Sequence, residues 1–371
     1  MKIADVQAYP LRVPFRTGDL PAPVIDSVTQ VIVKVSTDEG IVGFGEAFGF
    51  AGAPIIAKAV EVALMPMIIG KDPRQIQKLW EDMYRMTYYY GRMGIMLAAI
   101  SGVEIALWDV AGKARNIPVY QMLGGRAHEK LRAYASLLRY PNPRDVAQSC
   151  AILVNKGYTA IKPHEIDVAA VAAAREATGD AVDIMLDVNC LWDVPTAIKM
   201  GRQFKPFNLY WYEEPIWPAD DYAGMAEVRA ALNTPLAAGE NEYTARGFKD
   251  LIATRVVDFI QPSVFKVGGI LQEKKVFTMA DNFGIKVAPH CWSWGPALAA
   301  TLHISFSEPS CEFIETSVDT PDTNLLAEPL APQKGFWKLS EKSGLGVELN
   351  EDVLTKYLIR DDKFEVPFWL R

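Results

Sequence analysis

The sequence predicts an α/β protein, a (β/α)8-type barrel preceded by a smaller α+β domain. Three observations carry this prediction. From about Leu131 onward, short apolar runs alternate with helical segments at a period of roughly 25 residues. Eight such runs occur, the number that closes a barrel of this kind. Almost every run ends in a polar or charged residue, and in such barrels the C-terminal strand ends form the active-site rim. A doubly wound sheet would also alternate strand and helix, but it needs a G-x-G-x-x-G turn after its first strand. None is present, and the short "KVGGI" at 266–270 does not supply one.

The elements follow in order. "PFRTGDLPAPVIDS" (14–27), rich in Pro, Asp and Gly, reads as a long loop. "VTQVIVKVSTDEGIVGFGEA" is two alternating runs about an Asp-Glu-Gly turn, a hairpin signal. In "IMLAAISGVEIALWDVAGKARN", Leu97, Ile100, Glu104, Leu107 and Val110 advance by three or four, which predicts a helix. Its small residues Ala98, Ala99, Ser101 and Gly102 permit close packing on a neighbour. The barrel strands are "LRAYAS", "AIKPH", "DIMLDVN", "LYWYEEP", "PLAAGEN", "DFIQPSV", "KVAPHC" and "CEFIET", and a helical stretch clearly follows each but the last.

Length and composition fit this reading. A chain of 371 residues suits two domains, and 50% hydrophobic with 22% charged residues is ordinary for a globular protein with a sizeable core. The net charge of −7 and the absence of a basic run disfavour nucleic acid or an anionic membrane as partners. An anionic substrate must therefore meet local positive charge, from a few Lys or Arg or from a metal. Cys150, Cys190, Cys291 and Cys311 are scattered, without a C-x-x-C pair, which favours a reducing compartment over a zinc or dithiol motif. No signal-peptide h-region and no apolar run of membrane-span length is apparent, so a cytoplasmic location is expected.

The chemistry lies at the strand ends. Asp187, Glu213 and Glu240 are separated by 26 and 27 positions (187 to 213, 213 to 240), one β/α unit each. Neighbouring barrel strands lie about 4.8 Å apart, so three converging carboxylates repel unless a cation sits among them. A hard divalent ion suits oxygen ligands, and Mg²⁺ fits best because it keeps positions open for water or substrate. Of the four histidines, His164 and His290 fall at strand ends. His303, in "PALAATLHISF", is expected to be packed, and His128, in a polar turn, to be solvated.

These motifs together resemble the enolase superfamily, and within it the mandelate racemase subgroup. The resemblance rests on "LDVN" with Asp187, "YEEP" with Glu213, "AAGEN" with Glu240, "PSVFKVGGI", "APHCW" with His290 and "FIET" with Glu315. It extends to "ISGVEIALWDVAGKARNIPVYQMLGG" and spans nearly the whole chain. It implies an α+β capping domain over 1–125, the barrel over 126–330, and a C-terminal segment, 331–371, returning to the capping domain. It further implies that Mg²⁺ binds a substrate carboxylate while a base removes the α-proton, giving a metal-stabilised enediolate. Asp187, Glu213 and Glu240 then resemble the metal ligands, Glu214 a partner behind them, and Glu315 a hydrogen-bonding contact to the substrate carboxylate. Members are often homo-oligomers, which sets the same expectation here.

The chain departs from the subgroup at two places. Strand two usually carries Lys-x-Lys, whereas here it is Lys162-Pro163-His164. Side chains alternate, so Lys162 and His164 share the barrel-facing side. Lys162 resembles the carboxylate-contacting lysine, and His164 stands at the base position. A lysine base must be lowered by about 3 units, whereas histidine starts near 6.5. The second departure is Ser263, where the subgroup usually has an Asp paired with the strand-seven histidine, which leaves His290 as a weaker base, an acid or a substrate contact. Lys266, just before x-Gly-Gly, is a further acid/base candidate by resemblance to the muconate-lactonising subgroup. Asn189, Arg16, Tyr90 and Trp292, with Tyr88, Tyr89, Arg92 and Trp294 near them, are the remaining candidates for lining the pocket.

The leading expectation is dehydration of a sugar acid. A racemase or epimerase and a lactone cycloisomerase are alternatives that use the same groups. A metal-free Schiff-base aldolase on Lys162 and a non-catalytic, anion-binding barrel are alternatives from other classes.

Overall fold

The computed structural model describes residues 1–360 apart from 16–18, 24, 26 and 320. The N-terminal part is a three-stranded antiparallel sheet of β1 (Ile3–Pro14), β2 (Ser27–Thr37) and β3 (Val42–Phe48). The expected hairpin is β2–β3, turned at Gly40 with φ +80°. Strand β1 was not among the expected elements. Its prolines, Pro10 and Pro14, and a register shift between Ile3 and Asp5 break the simple alternation, yet it pairs along its length with β2.

Helix α1 (Ala53–Ala59) passes through a π-helical turn, Val60–Leu64, into α2 (Met65–Ile68), and α3 (Ile76–Gly91) and α4 (Ile95–Arg115) follow. Every residue of α4 from Met96 to Gly112 is buried, so it is a core helix rather than an amphipathic one. Phe50–Ile68 and α4 are long and apolar enough to cross a bilayer, contrary to the sequence expectation; in α4, 89% of the most apolar window is buried inside the protein. Close packing on β3 requires glycine. A Cβ at Gly45 would lie 2.0 Å from the Gly102 carbonyl oxygen, and one at Gly43 would lie 2.4 Å from that of Ala106.

After α5 (Val119–Met122) the chain forms eight parallel strands. They are β4 (Leu131–Ser136), β5 (Ala160–Lys162), β6 (Asp183–Asp187), β7 (Trp211–Glu213), β8 (Leu236–Ala238), β9 (Phe259–Ile260), β10 (Lys286–Val287) and β11 (Phe313–Ser317). They pair in sequence order, with β11 beside β4, and a bridge between Val287 and Cys311 joins the last gap. The outer helices are α6 (Pro143–Asn155), α7 (Val168–Thr178), α8 (Val194–Phe204), α9 (Tyr222–Ala231), α10 (Thr244–Thr254), α11 (Ile270–Phe283) and α12 (Pro296–Ser307). Side-chain caps from Asn142, Asp167, Asp193 and Asp221 start α6 to α9. Beyond the barrel, β12 (Phe336–Trp337) pairs with β4, and after α13 (Glu351–Lys356) Leu358 bridges Leu11 of β1.

The strand period of two sorts the barrel interior into layers. Tyr134, Ala160, Met185, Trp211, Ala237, Phe259, Ala288 and Phe313 form one buried apolar plug. Two residues further along the same strands lie Ser136, Lys162, Asp187, Glu213, Gly239, Gln261, His290 and Glu315. The plug closes the barrel beneath this polar layer.

The interface between the two parts is held by buried carboxylates. Glu104 of α4 accepts hydrogen bonds from the Ile270 and Leu271 amides at the start of α11 (2.8 and 2.9 Å) and from Trp108 Nε1 (2.7 Å). Asp109 accepts from the amides of Phe44 (2.9 Å) and Leu345 (2.8 Å) and pairs with Lys113 (2.8 Å). All four cysteines are free thiols.

Candidate active site

Asp187, Glu213 and Glu240 converge at the strand ends, with one carboxylate oxygen of each within 4.8 Å of the others. Asp187 and Glu213 end β6 and β7 on adjacent, in-register positions. Glu240 follows β8 after Gly239, whose φ of +131° lets the chain turn inward. Their electrostatics differ. Burial, and then the neighbouring Asp187, push the Glu213 carboxyl well above its ordinary range. Burial alone would raise Asp187, but Lys162 and His164 outweigh it and hold Asp187 well below. The donor set, three converging carboxylates with an oxygen of each within 4.8 Å of the others, fits a hard divalent cation.

Lys162 is the positive charge already in place. Its Nζ lies 2.6 Å from Glu213 Oε1, 3.0 Å from Glu315 Oε1 and 3.2 Å from Asp187 Oδ2. Burial would lower its pKa, but Glu213 and Glu315 dominate and keep the ammonium well above its ordinary value. Lys162 is thus a fully buried charge knitting three acids together, rather than a side chain reaching into the mouth. Glu315 is correspondingly ionised: burial opposes this, but Lys162 and His290 bring its pKa to about 2. One Glu315 oxygen also accepts the Cys291 amide at 2.8 Å.

The two histidines flank the acids. His164 Nδ1 is hydrogen-bonded to the Leu137 carbonyl oxygen, which makes Nδ1 the N–H donor and leaves proton exchange to Nε2. That Nε2 lies 3.0 Å from Asp187 Oδ2. His290 Nε2 lies 3.3 Å from Glu240 Oε2, and its Nδ1 lies 3.0 Å from Ser263 Oγ. Burial lowers the His290 pKa, although Glu240 and Glu315 oppose this. The neutral ring then donates from Nε2 to the carboxylate and accepts the Ser263 hydroxyl at Nδ1. Ser263 therefore occupies the orienting position, as a neutral partner rather than a carboxylate.

Lys266 also joins the site. Its Nζ is 3.0 Å from Asn241 Oδ1 and 3.7 Å from Glu240 Oε1, and it lies over the Phe48 ring. Glu214, at φ +41°, receives Asn241 Nδ2 (2.9 Å) and the Cys190 thiol (3.0 Å), while burial and then Glu240 raise its pKa to about 8. Asn241, next to Glu240, is one of the polar strand-end residues expected on the rim. Cys190 was not anticipated, and its only sequence signal was adjacency to Asn189.

Other candidates lie further off. Asn189 donates its backbone N–H to Asp187 Oδ1 (2.8 Å), and its side chain is exposed. Trp292 packs with Trp294 and Phe15 at ring separations of 5.7 and 6.2 Å, two residues beyond His290. Tyr90 is 66% exposed at the end of α3 and has no hydrogen bond or ring contact to the cluster among the described residues. Arg16 lies outside the described residues. His128 corrects its expectation: it is part-buried, with Nε2 2.9 Å from the Glu308 carbonyl oxygen. His303 is buried and accepts the Tyr120 amide through Nδ1.

Comparison with known proteins finds relatives along most of the chain. Residues 145–353 match the family described as enolase C-terminal domain-like, and residues 7–124 match the mandelate racemase/muconate lactonizing enzyme N-terminal domain. D-galactarolactone cycloisomerase of Agrobacterium fabrum is 32% identical, over 97% of this chain and 100% of its own. Arabinonate dehydratase of Saccharolobus solfataricus is 30% identical, over 96% of this chain and 99% of its own. The crystal structure of 3,6-anhydro-D-galactonate cycloisomerase from Zobellia galactanivorans superposes with a TM-score of 0.88 at 29% identity, covering 97% of this chain and 100% of that one.

Proposed function

The chain belongs to the mandelate racemase/muconate lactonizing enzyme family of the enolase superfamily, and from that premise we propose that it is a Mg²⁺-dependent sugar-acid dehydratase. The observation that carries this reading is the pair of imidazoles on either side of one acidic cluster. His164 faces Asp187 through Nε2, and His290 faces Glu240 through Nε2.

Asp187, Glu213 and Glu240 would hold the cation. When bound, it supplies Lewis-acid stabilisation of the negative charge that develops on the substrate carboxylate. The protein's own groups do the rest. The Lys162 ammonium adds fixed positive charge from below. Glu315, ionised and braced by Lys162 and the Cys291 amide, accepts a hydrogen bond from a substrate hydroxyl and so helps to orient the substrate. His164 takes the α-proton at Nε2, since its Nδ1–H is already committed to Leu137. His290, in the imidazolium form that Glu240 and Glu315 favour, gives its Nε2 proton to the departing β-hydroxyl, which leaves as water as the C–O bond breaks and the ring returns to neutral. The enol so formed tautomerises to a 2-keto-3-deoxy acid. Lys266 stands beside Glu240 as a reserve cation and proton donor.

The cycloisomerase relatives favour a second reading on the same residues, in which a lactone or anhydro ring opens at the β-position in place of water loss. The two are separated by screening aldonic acids, aldaric acids and their lactones with Mg²⁺, following products by NMR. The dehydratase reading expects a 2-keto-3-deoxy acid from an open-chain acid. Turnover of lactones alone, with no loss of water from any open-chain acid, would reverse the preference.

A further inference from the structure

We infer that Glu46, a carboxylate of the capping sheet with no part in holding metal or substrate, is a positioning residue for His290, an inference that rests on the catalytic reading of the site. Glu46 lies on β3 and is fully buried. Its Oε2 accepts the Ser293 hydroxyl (2.8 Å) and the Ala297 amide in the first turn of α12 (3.0 Å). Its Oε1 accepts Gln30 Nε2 from β2 at 2.6 Å. Ser293 Oγ in turn accepts the Gly295 amide at 3.0 Å.

These contacts hold the loop that leaves β10 through His290. At its start, the Cys291 amide is tied to Glu315 in the barrel; two residues on, Ser293 is tied to Glu46 in the capping sheet. Each domain thus contributes one carboxylate to fix the same short segment, with Trp292 between them. The fit is close. A Cβ at Gly295 would lie 2.7 Å from Glu46 Oε2, so the loop closes on the carboxylate only with glycine at 295.

The same strand reaches His290 by a second route. Phe48 is two residues beyond Glu46 and so on the same face of β3. Its amide donates to the Phe265 carbonyl oxygen (3.1 Å), and its ring meets the Phe265 ring edge-on at 5.4 Å. The Phe265 ring stacks on His290 with centroids 6.0 Å apart and planes 7° from parallel. The His290 imidazole is therefore framed by β3 through Ser293 on its own loop and through Phe265 on the neighbouring one. Glu46→Gln still serves Ser293 and Ala297 through its oxygen, and Gln30 once that amide turns over, whereas Glu46→Leu keeps the volume and removes both acceptors.

The test combines kinetics with a readout that needs no substrate. The chain has four histidines, so the ring Cε1–H signals can be resolved by heteronuclear NMR and assigned by single His→Gln variants. For Glu46→Leu, the His290 signal should move while those of His128 and His164 stay. On any substrate the wild type turns over, kcat should fall by about tenfold or more, with KM changing less than about threefold, as expected for a misplaced proton-transfer group. Glu46→Asp, which restores a carboxylate, should recover part of kcat. If Glu46→Leu does not fold, Ser293→Ala removes a single hydroxyl from the same contact and should move His290 in the same direction. An unmoved His290 signal, or kcat within about twofold of wild type in the folded variant, overturns the assignment. Failure of every sugar acid as a substrate would count against the proposed function, while the NMR result would still decide the role of Glu46.

Discussion

The protein buries carboxylates in two places, and it treats them oppositely. At the interface between the sheet and the barrel, Glu104, Asp109 and Glu46 sit apart; Glu104 and Glu46 each take three hydrogen bonds from backbone amides or neutral side chains, and Asp109 takes two amides and its own Lys113. At the barrel mouth, Asp187, Glu213 and Glu240 crowd within 4.8 Å of one another, with Lys162 as the nearest buried cation. The first arrangement is complete as it stands, and it joins domains. The second is incomplete without further positive charge, and that incompleteness is what fits it for a metal ion. Burial of an acid is therefore not itself a sign of function; mutual crowding of converging acids, which pushes the Glu213 carboxyl well above its ordinary range, is.

The contrast can be broken or sharpened by substitution. The largest effect should come from Glu213→Gln: turnover should fall by at least about 10³-fold, with loss of Mg²⁺ binding by calorimetry. Next, His164→Asn and His290→Asn should each lower kcat by about 10²–10⁴-fold while leaving Mg²⁺ affinity within a few-fold, as general acid–base groups do. Unchanged turnover in both would remove the mechanism proposed here.

On the interface side, Glu104→Ala should behave in the opposite way. It strands three buried donors and should cost about 4 kcal/mol in urea unfolding, while the folded fraction keeps its metal affinity. A smaller effect is the pH dependence at the same residue. Burial raises Glu104 from 4.5 to about 7 against the Leu271 amide and Trp108 that oppose it. The folded state then binds more protons than the unfolded state, so this contribution is fully present below pH 4.5 and is lost as pH rises through about 7. The stability of wild type relative to Glu104→Gln should fall by about 3 kcal/mol across that window. A flat difference would mean that Glu104 is ionised throughout.

The two regions also differ in how far they could be read from sequence. The barrel acids are visible because one β/α unit separates each from the next, and Lys162 and His164 because strands alternate. Those rules are local. What the sequence hid depends on contacts between distant segments. The bond from Leu137 to His164 settles which imidazole nitrogen exchanges protons, and nothing in "IKPH" reveals it. Glu46 meets Ser293 across 247 positions. Tyr90 was legible as an aromatic near a loop, but the packing of α3 leaves it exposed away from the cluster. Strand β1 was masked by its prolines and a bulge, whereas α4 was legible as a helix from its three- and four-residue spacing but not as one buried on every side.

The central claim is that the crowded acids serve α-proton removal through a bound cation. Its most direct test is loss of the substrate α-proton in D₂O, followed by proton NMR as Mg²⁺ is titrated into metal-stripped enzyme with a sugar acid that it turns over. The account predicts that proton loss rises with metal occupancy, saturates with it, and disappears in Glu213→Gln. Proton loss at the same rate in EDTA, or turnover with the α-proton retained in the product, would contradict it.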